Sequence, residues 1–204
     1  MTAFHDKPFD DATQMKLAVF RGYIREWLPV FMTRSKGGDE RHRRVAVYDF
    51  FAGPGRDPAG IPGSPLIIVE EVRRYCEERG NLRDHNAIVR MLFNDVEREN
   101  IERLRTEVQS VECKRGCCDI RYSDEPFQVS LDQHMPAIRR GDSANLVIMD
   151  QFGLKEVTPD VLRRLAGCKT TDVLFFISSS SARRFAEVPE MRKYIDAACV
   201  KKFL

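Results

Sequence analysis

The sequence predicts an α/β fold, with a mainly parallel sheet of at least five strands, helices on both faces and a helix in front. Three observations carry this expectation. Short β-favouring runs recur at 45–50, 87–93, 119–122, 145–149 and 173–177. Segments with apolar residues three and four apart separate them, so each link reads as a helical crossover between parallel strands. The first run, Val45-Ala46-Val47-Tyr48-Asp49-Phe50, ends in an acid and passes at once into Phe51-Ala52-Gly53-Pro54-Gly55. A small-residue turn at that point belongs to the strand edge where open α/β sheets bind ligands.

Taken in order, Leu17, Phe20, Ile24, Trp27, Leu28 and Phe31 mark one face of a helix that begins near Thr13, its expected N-cap. Pro29 predicts a kink or break in it. Residues 34–44, with Gly37-Gly38 and several charges, form a connection to the first strand. The glycine- and proline-rich stretch 52–63 is long for a compact domain, which suits a loop that serves a site. Ser64 as N-cap and Pro65 at the first helical position open the next helix; Leu66, Val69, Val72 and Cys76 form its buried stripe, and Gly80 ends it.

The second strand, 87–93, finishes in Asn94-Asp95 and leads to a helix through Ile101, Leu104 and Val108. The third, 119–122, ends in Ser123-Asp124 and precedes a helix over 129–138 that contains Pro136. The fourth, 145–149, delivers Asp150-Gln151-Phe152-Gly153. Thr158-Pro159 caps and opens a helix through Val161, Leu162 and Leu165, closed by Gly167. The fifth strand, 173–177, ends in a run of serines, and 182–204 reads as helix broken at Pro189.

A chain of 204 residues is the size of one domain with a real core, so 1–44 is read as helical extension and linker to a domain over 45–204, all in one unit. The net charge of +2 is too small to argue for nucleic acid, and basic pairs such as Arg73-Arg74, Arg139-Arg140 and Arg163-Arg164 form a phosphate-binding surface only if the fold gathers them. No signal peptide or membrane-spanning run is present, so the expected location is the cytoplasm, with the six cysteines as free thiols. Cys113, Cys117 and Cys118 lack the spaced four-ligand pattern of a zinc site, and no metal is expected.

The turn after the first strand selects among cofactors. A dinucleotide fingerprint needs a third glycine and an immediate helix, but Asp57-Pro58 intervenes; a phosphate loop needs Gly-Lys-Ser/Thr, which is missing. Asp49 accepts hydrogen bonds, which favours the ammonium of an amino-acid ligand over a phosphate. Asp-x-Phe-x-Gly-x-Gly resembles the first motif of S-adenosyl-L-methionine (SAM) methyltransferases that modify nucleic-acid bases. On that reading Asp49, Gly53 and Gly55 cradle the cofactor, Asp95 takes both ribose hydroxyls, and Asp124 accepts from the adenine amino group, with Phe127 or Phe93 beside the ring. The alternative for each aspartate is a helix cap. Asp150 and Phe152 are the candidate catalytic pair: an acceptor for a target amine and an aromatic for a flipped-out base. No cysteine follows the fourth strand to attack cytosine, and no histidine is assigned to catalysis. A Mg²⁺ nuclease built on Asp49 and Asp150 lacks accompanying basic residues.

With these residues laid out, the chain resembles the three-Cys-motif partner (TcmP) family. The likeness lies in Thr13-x-x-Lys16, Tyr23, Trp27-Leu28-Pro29, Tyr48-x-x-Phe51-Ala52-Gly53-Pro54-Gly55-Arg56, Gly63-Ser64-Pro65-Leu66, Phe93-x-Asp95 and Asp150-x-Phe152-Gly153. It implies a Rossmann-like SAM methyltransferase fold, with Ala52 and Ser64 joining the cofactor residues. By similarity to adenine-N6 ribosomal RNA methyltransferases, Lys16 would reach the cofactor carboxylate or the site. The implied partners are RNA or DNA as substrate and a three-Cys-motif protein; a sheet edge left open where a sixth strand is absent would also suit a second copy in a homodimer. Gln151 departs from the family's proline, and the sequence ends one helix after the fifth strand, so the expected sheet lacks its C-terminal strands. Those two departures favour the alternative function, a non-catalytic interaction module that keeps the methyltransferase fold.

Overall fold

A computed structural model describes residues 7–32, 44–78, 88–111, 116–150 and 156–176. Ten elements alternate along it: α1 (Asp11–Met32), β1 (Arg44–Asp49), α2 (Ser64–Glu78), β2 (Val89–Asn94), α3 (Arg98–Val111), β3 (Cys118–Ser123), α4 (Phe127–Ile138), β4 (Ser143–Met149), α5 (Pro159–Ala166) and β5 (Thr171–Phe175). All neighbouring strand pairs are parallel, in the order β3-β2-β1-β4-β5. The expected α/β architecture and Rossmann-like strand order are therefore present. The chain reverses its direction of travel across the sheet at β1, so the loops leaving β1 and β4 part company there and open a crevice.

Alternation along the central strands explains both cores. Val45, Val47, Met91, Phe93, Leu146 and Ile148 face α1, α2 and α3, while Ala46, Tyr48, Leu92, Val147 and Met149 face α4 and α5. β4 is buried along its whole length, as a central strand covered on both faces must be.

The leading helix belongs to this core. Leu17, Phe20, Ile24, Trp27 and Leu28 are buried against the sheet and α2, each large side chain contributing about 1.5–3 kcal/mol by burial. Trp27 Nε1 donates to Asp172 Oδ2 at 2.7 Å near the start of β5, and the Phe20 ring meets Phe176 edge-on just past its end. α1 thus runs antiparallel to β5 and carries its own first turns toward the ligand edge of the sheet. On its other flank, Glu71 of α2 accepts from Arg21 (3.1 Å), Arg25 (2.9 Å) and Arg74 (2.8 Å). Burial alone would raise the Glu71 carboxyl, but hydrogen bonds from Arg25, Arg74 and Arg21 outweigh it and hold the group down at about 2.

Three local expectations need correction. Asp10 rather than Thr13 caps α1: its Oδ1 accepts from Thr13 N–H at 2.8 Å, and a carboxylate is the stronger acceptor at a helix start. Pro29 does not end α1, which continues to Met32 because Leu28 and Met32 anchor its last turn in the core. Ser64 is the first residue of α2, one past the N-cap position at Gly63, and its hydroxyl donates to Asp49. Gly80, 151–153, the serine run and 182–204 lie outside the described residues.

Candidate functional site

The register of the sheet assembles the site. Asp49 pairs with Phe93 on one side and Ile148 on the other, and Phe93 pairs with Tyr122. Side chains alternate along a strand, so Asp49, Asp95, Asp124 and Asp150 share the parity of Val47, Phe93, Tyr122 and Ile148. All four acids therefore belong to the face covered by α1, α2 and α3, at the carboxyl ends of four adjacent strands.

Asp49 is fully buried. Its Oδ2 accepts from Ser64 Oγ at 2.7 Å and its Oδ1 from Phe51 N–H at 3.3 Å. Burial pushes the carboxyl up to about 7; the two hydrogen bonds restrain the rise, and the charges of Asp150 and Asp95 add to it. No hydrogen bond from a cation reaches it among the described residues.

Asp95 ties the glycine turn to α3. Its Oδ2 accepts from Gly53 N–H at 2.9 Å, while Oδ1 accepts from Glu97 N–H (2.9 Å) and Asn100 Nδ2 (3.0 Å). These contacts brace the turn before α3 without capping the helix, whose first residue is Arg98, and they fix the turn beside Asp49. Ala52 N–H donates to Asn94 O at 2.9 Å, holding the same turn against β2. Gly53 has φ +64°, the left-handed conformation that favours glycine. Gly55 also has a positive φ, +96°, and a Cβ there would meet Leu104 Cδ1 of α3 at 3.0 Å.

Lys16, placed by α1, reaches across to Asp150, its Nζ donating to Oδ2. The same Nζ lies 5.5 Å from the centroid of the Phe176 ring. Lys16, Ser64, Gly53, Asp49, Asp95 and Asp150 therefore form one contiguous cluster. Asp124 stands exposed beyond β3, with no hydrogen bond among the described residues. Phe152 lies outside the described residues.

The aromatic expectation is corrected in part. Phe93 is fully buried in the core, beside Tyr122, and does not face the edge. Phe127 is buried and stacks on Phe51, with centroids 4.9 Å apart. The half-exposed member is Phe51, which directly follows the acid-bearing strand and which sequence reading passed over. Asn94 was also missed as a positioning group. Its Nδ2 donates to Phe50 O (3.3 Å) and Glu125 O (3.0 Å), joining the turn after β1 to the loop after β3. A polar side chain at a buried strand end was the available signal.

The loop after the turn is itself folded. Asp57 is buried and accepts from Ile61 N–H (2.7 Å) and Phe9 N–H (2.8 Å), pinning the loop to the segment before α1. The arginine pairs do not converge on this edge. Arg74, Arg140, Arg163 and Arg164 are each engaged by acids elsewhere.

Among the described residues the cluster presents the carboxylates of Asp49, Asp95 and Asp150 with one lysine, Lys16. Among the described residues, no group of three or more His, Cys, Asp and Glu is arranged to hold a metal ion, and no helix is long and apolar enough to cross a membrane. Compared with known proteins, the chain matches no family model and no curated sequence.

Proposed function

We propose that this chain is a SAM-dependent methyltransferase that modifies an exocyclic amine of a nucleic-acid base. The observation that carries the reading is Asp49: a buried acid with no hydrogen bond from a cation among the described residues, at the switch point of a parallel sheet, flanked by Asp95 and Asp150. A ligand ammonium supplies the missing charge. Ionised Asp49 would hold it, Asp95 would accept from a ribose hydroxyl through the Oδ2 lone pair that Gly53 leaves free, and Asp124 would accept from an adenine amino group. Lys16 would meet the ligand carboxylate. SAM supplies the methyl group as a sulfonium, ready for transfer to a nucleophilic nitrogen. Asp150 accepts the hydrogen bond of the target amine, orients its lone pair and takes up the proton the nitrogen sheds. Methyl transfer depends on such positioning more than on a strong base.

Calorimetry with S-adenosylhomocysteine tests this reading. Wild type should bind and Asp49→Ala should lose binding by at least about tenfold, the scale of one charge-assisted contact. Absence of binding to wild type would exclude the reading.

A second reading, a non-catalytic interaction module, is favoured by one surface. Among the described residues β5 pairs only with β4, and the outer side of α1 exposes Met15 (70%), Val19 (65%) and Val30 (69%). Such a surface suits a second copy or a three-Cys-motif protein. A monomer in light scattering that methylates RNA or DNA by itself would exclude this alternative.

A further inference from the structure

Lys16 is the one cation that hydrogen-bonds a strand-end aspartate of the cluster among the described residues, and the acid it holds is the proposed amine acceptor. Its helix is fixed on both flanks, by Glu71 toward α2 and by the Trp27–Asp172 bond toward β5. Its four-carbon stem is free to swing. The ion pair is neither sealed nor loose, with Lys16 29% and Asp150 26% exposed. The ring of Phe176 offers the ammonium a second contact that does not depend on Asp150.

A zwitterionic amino-acid ligand meets a conflict here. Its ammonium suits Asp49, but its carboxylate enters the field of Asp49, Asp95 and Asp150. From these contacts we infer that Lys16 exchanges partners: it leaves Asp150 for the carboxylate of the bound ligand, and Asp150 is thereby freed to accept the target amine. This deepens the methyltransferase reading and rests on it. The exchange makes Lys16 a specificity residue, reading the amino-acid end of the ligand, and couples that end to the target subsite. Ligands without an α-carboxylate leave the Lys16–Asp150 pair intact. By linkage, whatever weakens the pair strengthens binding of carboxylate-bearing ligands through Lys16.

The test is a calorimetric cycle with wild type, Lys16→Met, Asp150→Asn and the double variant. Each is titrated with S-adenosylhomocysteine and with 5′-methylthioadenosine, which lacks the amino-acid end. Thermal melts confirm that all four are folded. Asp150→Asn should raise S-adenosylhomocysteine affinity about two- to fivefold, the range of a partly exposed ion pair. Lys16→Met should lower it about ten- to a hundredfold, the range of a hydrogen bond to a charged group. Neither change should move 5′-methylthioadenosine. In the Lys16→Met background, Asp150→Asn should have no effect, because no lysine remains to release. A gain on Asp150→Asn that persists in that background reports simple repulsion between Asp150 and the ligand, and overturns the exchange while leaving the methyltransferase reading in place. An equal loss for both ligands on Lys16→Met does the same. Failure of wild type to bind either ligand overturns both.

Discussion

Two acids in this molecule are buried almost equally and treated in opposite ways. Glu71, in the middle of α2, is surrounded by Arg21, Arg25 and Arg74 and is held down at about 2. Asp49, at the end of β1, receives one hydroxyl and one backbone N–H, faces two other acids and is pushed up to about 7. Among the described residues, cations hydrogen-bond the acid that joins two helices and none hydrogen-bonds the acid at the strand end. A buried acid left short of positive charge is a candidate site for that physical reason. The satisfied acid serves the other indirectly, because the clasp at Glu71 fixes the helix that presents Lys16.

Removing the satisfied acid gives the largest effect on stability. Glu71→Gln should destabilise the fold by about 1–3 kcal/mol at pH 7, since the arginines lose their partner but remain partly hydrated. The sign of its pH dependence is fixed by the lowered value. The contribution of Glu71 is complete above the ordinary glutamate range near 4.5 and fades as pH falls toward 2. Melts of wild type and variant should therefore converge over that interval.

The unsatisfied acid predicts the reverse. Its folded value lies above the ordinary 3.8, so wild type loses stability as pH rises from about 3.8 to about 7. Asp49→Asn escapes that loss and should stabilise the fold at pH 7 by about 0.5–2 kcal/mol, with little change below pH 4. Thermal melts across that range check it. A destabilised Asp49→Asn at pH 7 would erase the contrast with Glu71.

A smaller effect separates the helix clasp from the site. Trp27→Phe removes the hydrogen bond to Asp172 and should cost about 0.5–1.5 kcal/mol in denaturant melts, with ligand affinity unchanged within about twofold. A large loss of affinity would show that Glu71 alone does not hold Lys16 in place.

Much of this was legible in the sequence, and the missing parts share a cause. Periodicity disclosed every described strand and helix, and the strand ends put Asp49, Asp95, Asp124 and Asp150 along one edge of the sheet; that they share a face followed only from the register. What periodicity cannot disclose is partnership at long separation. The Lys16–Asp150 pair spans 134 positions, and the arginines of α1 that reach Glu71 come from 46 and 50 positions away. Ser64 looked like a helix cap because local rules favour it there, but α2 begins at Ser64 itself, and its hydroxyl donates to an acid 15 positions away. Phe93 looked like a ring-stacking residue because it lies near a strand end, but it is fully buried under the helices of its face. Gly55 looked like part of a ligand cradle, and its close approach to Leu104 on α3 was not visible in the sequence.

The central claim, that Asp49 waits for a ligand ammonium, is tested most directly by titrating wild type with S-adenosylhomocysteine at pH 6.5 in two buffers of different ionisation enthalpy. Binding should ionise Asp49, so the heats should differ by the release of up to about one proton, and affinity should tighten as pH rises through 7. Identical heats in both buffers, or no binding at all, would contradict it.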